Sequence, residues 1–185
     1  MYQSTLLLSA MTNSPVYSAR LTCPYVWGDP QWAPDVPVDF TDLIVALANN
    51  DEARLRLALI PLFLRYPSIA PQAESAGAQL SGDALVVLRC YYTAAYFLQQ
   101  MYRPQLERLF DSFRPLPDLF SVPLGLSTES VPKAGLSALA ARHRALSGCA
   151  INWLGTYQHG AERFISYMEK RKGWQRSQST TSARF

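Results

Sequence analysis

From about residue 40 onward, apolar positions recur at helical spacing along most of the chain. Leu43, Ile44 and Leu47 share one face behind Thr41, a residue type suited to an N-cap. Asn49 and Asn50 interrupt the pattern, and a second helix is expected from Asp51 to Arg65. Its positions Leu55, Leu57, Leu59, Ile60, Leu62, Phe63 and Leu64 are apolar nearly all round, which calls for burial. Pro61 lies inside it. The missing N–H and the ring's clash with the carbonyl one turn back predict a kink near Leu57. Pro67 ends that helix, and a shorter, polar-faced one is expected over 69–79.

The longest helix should open at Ser81 or Gly82 and run from Asp83 to about Tyr102. Two adjacent stripes of it are apolar: Leu85, Leu88, Tyr92, Ala95, and Val87, Tyr91, Ala94, Leu98, Met101. Between Asp83 and Arg103 only Arg89 is charged, so the helix belongs at the centre of a bundle or in a subunit interface. Pro104 suits the first turn of a helix over Gln105–Phe113. Pro115, Pro117 and Pro123 then mark a loop, and Ser130 with Pro132 opens a helix that Gly148 closes after Ser147. A last helix is expected from Asn152 to Lys172, with Leu154, Tyr157, Ala161, Phe164 and Met168 on its buried face.

Residues 1–40 read differently. Pro15, Pro24, Pro30, Pro34 and Pro37 forbid a helix, while Tyr17, Tyr25, Trp27, Trp32 and Phe40 stand between them. Short strands near 4–9 and 16–22 lack a clear alternation. The expected organisation is an extended Pro/aromatic arm over 1–40, packing on the body or on a partner. A helical domain follows over 41–172, then a disordered basic tail over 173–185. The fold class is all-α, a bundle of about five to six helices.

Composition changes this picture in one respect. The chain is 49% hydrophobic and only 17% charged over 185 residues, less charge than the roughly 25% of a typical soluble domain. Such depletion is expected when more surface is covered by protein than one chain covers by itself. The best apolar run, Leu57–Leu64, contains Pro61 and is far shorter than the ~20 residues a bilayer requires. The net charge of +3 is uneven. Between Leu21 and Ala53 six acids and no base give −6, whereas from Glu169 to Phe185 five bases against one acid give +4. The three cysteines, Cys23, Cys90 and Cys149, form neither a disulfide framework nor a zinc spacing, which points to a cytoplasmic chain with reduced thiols.

Chemistry-bearing patterns are few. No phosphate-binding glycine motif occurs, and two histidines without HxxxH or HExxH spacing give no metal site. No cofactor and no catalytic residue is expected, and enzyme activity is disfavoured. His143 lies on the apolar stripe Leu136, Leu139, Ala140, His143, Leu146, where a core histidine satisfied by a carbonyl or a tyrosine hydroxyl is the ordinary outcome. His159 reads as a solvated side chain beside Glu162 and Arg163. Cys90 and Cys149 read as small buried hydrophobes. A helix-turn-helix over 69–90 fails because its recognition helix would be the bare apolar one.

The expected function is a non-enzymatic protein–protein interaction or oligomerisation module, with Trp27, Trp32, Tyr91 and Tyr92 as interface residues. One alternative is a nucleic-acid-associated regulator, or an accessory partner of a nucleic-acid enzyme, acting through Lys170, Arg171, Lys172 and Trp174. A second alternative is a small-ligand-binding domain using Arg89, Tyr96, Arg103 and His143. A homo-oligomer or a protein partner is expected, and no membrane.

Overall fold

A computed structural model describes residues 39–127 and 131–182, so the arm with Trp27 and Trp32 and the strands considered there lie outside the described residues. The fold is all-α, with no strand among the described residues. In chain order the helices are α1 (Phe40–Ala48), α2 (Ala53–Leu57), α3 (Leu59–Arg65), α4 (Ala70–Gln79) and α5 (Gly82–Met101). They continue as α6 (Arg103–Leu109), α7 (Pro132–Ser147) and α8 (Trp153–Ser182). A 3-10 turn at Pro67–Ile69 leads into α4. Counting α2 and α3 as one kinked helix gives seven among the described residues, close to the number expected.

The kink falls where Pro61 requires it. Pro61 has no N–H for the Leu57 carbonyl, so the Ala58 N–H tightens back onto the Leu55 carbonyl at 3.1 Å. The ladder restarts when the Leu62 N–H reaches the Ala58 carbonyl at 3.1 Å. At α1 the cap is Asp39 rather than Thr41: its carboxylate accepts from the Thr41 N–H at 2.8 Å, because Thr41 is already helical. The α6 helix stops at Leu109, short of the expected Phe113. Phe110 turns out of it to stack on Phe164 of α8 at 6.1 Å, with the Arg65 guanidinium 4.6 Å from its ring centre.

Helix α5 is the axis of the molecule and packs against α7, α3 and α8. On its two apolar stripes, Leu88, Tyr92, Ala95, Val87, Tyr91, Ala94 and Leu98 are all buried. A fully buried side chain such as Leu88 contributes on the order of 1.5–3 kcal/mol over an exposed one. Gly135 lets α7 come close: a Cβ there would lie 2.5 Å from the Phe97 ring of α5. At the far end of α7, Gly148 takes a left-handed φ of 65° and its N–H returns to the Arg144 carbonyl at 3.1 Å. Asn152 then caps α8, its side-chain oxygen accepting from the Gly155 N–H at 3.1 Å.

Helix α8 does not end at Lys172. It runs 30 residues to Ser182, through most of the segment expected to be disordered. Gly148 stops a helix by adopting positive φ, whereas Gly173 does not and stays helical. Among the described residues no helix is long and apolar enough to cross a membrane.

Candidate functional site

The best-formed cluster of polar chemistry lies where α5, α7 and α8 meet. The α7 face that buries Leu136 and Leu139 buries His143 one turn further on. Helix α8 begins at Trp153, so Trp153 and Tyr157, four residues apart, stand one above the other against that imidazole. The His143 ring stacks on Trp153 at 3.7 Å between centroids and 22° between planes. Tyr91 of α5 meets it edge-on at 5.9 Å and meets Tyr157 edge-on at 5.7 Å.

His143 Nδ1 is hydrogen-bonded to the Tyr157 hydroxyl at 2.5 Å. Burial pushes the Tyr157 hydroxyl far upward, so it stays protonated. Burial, reinforced by the Arg56 guanidinium, lowers the His143 pKa from 6.5 to about 4. Beside it, burial pushes the Cys90 thiol up to about 12, against a smaller opposite pull from Arg142. Tyr91 is raised to about 12 by burial as well, with Arg56 acting the other way. At neutral pH the cluster therefore holds an uncharged imidazole, an uncharged thiol and uncharged phenols, walled in by rings. A thiolate–imidazolium pair is not formed there. Among the described residues no group of three His, Cys, Asp or Glu side chains is placed to hold a metal.

The four residues expected to line a ligand site are not brought together. The rings against His143 are Tyr91, Trp153 and Tyr157. Tyr96 instead packs on Phe97 at 5.2 Å, and Arg103 pairs with Glu107 at 2.7 Å while its guanidinium lies 5.7 Å from the Phe113 ring centre. Arg89 is half-buried, with its Nε buried and without a partner.

Two interface expectations also need correction. Tyr91 and Tyr92 are 3% and 0% exposed inside their own chain, because the apolar stripes of α5 turn both inward, so neither is available to a partner. Cys149 is exposed rather than buried, in the turn before α8 and outside that helix. His159 is exposed as expected, but the neighbouring Glu162 accepts a hydrogen bond from the Tyr102 hydroxyl at 2.9 Å.

The basic residues at the end of α8 divide by face. Lys172 turns inward, donating to the carbonyls of Arg108 at 2.8 Å and Leu109 at 3.5 Å, where a cation complements the C-terminal end of α6. Lys170 and Trp174 are exposed, and Arg171 is half-buried.

A second buried polar constellation was missed by sequence reasoning. Gln99 of α5 accepts from the Leu116 N–H at 2.6 Å and donates to the Arg114 carbonyl at 3.0 Å. The Tyr92 hydroxyl donates to the Pro117 carbonyl at 3.0 Å, and Phe120 meets the Tyr92 ring edge-on at 5.1 Å. Together they pin the 110–127 loop to the bundle. The signal was present: Gln99 continues the stripe Leu85, Leu88, Tyr92, Ala95, and an amide on an apolar stripe needs a buried partner.

No family model, no curated protein and no solved structure matches this chain.

Proposed function

We propose that the protein is a non-enzymatic protein–protein interaction or oligomerisation module. The observation that carries this reading is the apolar turn between α7 and α8. Leu146 and Ile151 remain 39% and 48% exposed there, and Ala145, Cys149 and Ala150 beside them are exposed too. Contiguous apolar side chains left in water favour association. The groups best suited to chemistry support the same reading from the other side. His143 and Cys90 are enclosed in the core and uncharged at neutral pH. The low charge content of the whole chain, 17%, fits a surface that is partly covered. A homo-oligomer is the simplest occupant, and the free thiols of Cys90 and Cys149 fit a cytoplasmic location.

Light scattering coupled to size exclusion, on the full chain at low and high salt, tests this. A stable oligomer at both salts is expected. The Leu146→Asp/Ile151→Asp double variant should dissolve it without loss of helical circular dichroism. A monomer at both salts would overturn self-association and leave a different protein as the occupant of the turn.

A further inference from the structure

The outward face of α8 carries a pattern that the interaction-module reading does not use. His159, Arg163, Tyr167, Lys170 and Trp174 follow one another at intervals of three and four residues, which places them on a single stripe. All are exposed except the half-buried Tyr167. The opposite face holds Tyr157, Ala161 and Ile165 against the bundle. The stripe thus interleaves two cations, Arg163 and Lys170, with the rings of Tyr167 and Trp174 over roughly 16 Å of helix axis. Trp174 is 71% exposed, and a Cβ added at Gly173 would meet nothing within 4 Å. From Glu169 to Phe185 five bases stand against that single acid.

We propose that this stripe is a contact surface for single-stranded nucleic acid, with Arg163 and Lys170 on phosphates and the rings of Tyr167 and Trp174 against unpaired bases. Three physical points select this occupant. Alternating cations and aromatic faces is the chemistry that binds a flexible polyanion whose units each carry a flat ring. An anionic membrane would require a broad apolar face on the helix, whereas the apolar face of α8 is already buried in the bundle. A duplex satisfies the cations but offers the rings no unstacked base. The inference is independent of self-association through the α7–α8 turn.

Fluorescence anisotropy of a labelled oligothymidylate titrated with the full chain tests it, with a duplex of equal length and vesicles of anionic phospholipid as parallel probes. Expected is binding to oligothymidylate that falls steeply with salt and exceeds binding to duplex and vesicles. Trp174→Ala should weaken oligothymidylate about tenfold and leave duplex unchanged, since stacking is lost but charge is kept. Lys170→Gln should weaken both nucleic acids and reduce the slope of log affinity against log salt by about 0.7 for the single strand. Both side chains are exposed, and unchanged unfolding midpoints would confirm that each variant stays folded. The proposal is overturned by no oligothymidylate binding at low salt. It is equally overturned by binding that Trp174→Ala leaves intact, or by preference for the vesicles or the duplex.

Discussion

Two buried polar side chains on neighbouring helices are accommodated in opposite ways. Gln99 of α5 uses both ends of its amide on the main chain of the 110–127 loop, and neither end has a charge to gain or lose. His143 of α7 has one ring nitrogen on Tyr157, aromatic rings on either side and the Arg56 charge nearby. The amide is therefore a permanent fastening, whereas the imidazole is tolerated only while neutral. Both residues sit on apolar stripes in the sequence. What differs is whether solvent protons can compete with the partner.

The largest expected effect separates the two by pH. With its folded pKa lowered to about 4 against 6.5 unfolded, His143 leaves stability intact above pH 6.5. As pH falls from 6.5 toward 4 the unfolded chain takes up a proton that the folded chain refuses. The loss reaches roughly 3 kcal/mol at the bottom of that window. Urea unfolding at a series of pH values should show this slope in the wild type and not in His143→Phe. Identical slopes between pH 5 and 6.5 would mean that the imidazole is not held neutral.

Next in size, Gln99→Leu strands the buried Leu116 N–H and should cost about 2 kcal/mol at every pH. Denaturant midpoints measure it, and a pH-dependent loss would mean that the amide is not a pH-insensitive fastening. The smallest effect is at the surface. Lys172→Met removes a cation from the carbonyl end of α6 and should cost about 0.5 kcal/mol, diminishing in high salt. A loss that salt does not change would point to the lysine's carbon chain rather than its charge.

The local rules were the legible part of this sequence. Pro61 predicted a kink near Leu57, one residue from the break at Ala58. The uncharged span of α5 called for a bundle centre or a subunit interface, of which the structure shows the first. Both were readable because the effects act within a turn or along one stripe. The stop at Gly148 was readable too, yet the same reasoning failed at Gly173. Both residues are glycines, and only the backbone φ distinguishes a terminator from a helical passenger. The candidate site was half visible. His143 stood out by its position on the α7 stripe, but its companions come from α5 and α8, and spacing along one helix does not show what a second helix brings. Gln99 was overlooked for a related reason. Its partners lie in a proline-rich loop with no periodicity of its own, so only the misplaced amide pointed to them.

The close pass of α7 over α5 has a consequence for how this sequence can vary. With a Cβ at residue 135 falling 2.5 Å from the Phe97 ring, the two positions constrain one another. Any larger residue at 135 must wait for a smaller one at 97, and reversing the order would force the helices apart. Across diverged copies of this chain, residues 97 and 135 should therefore change as a pair, a mark that a handful of related sequences would be enough to read.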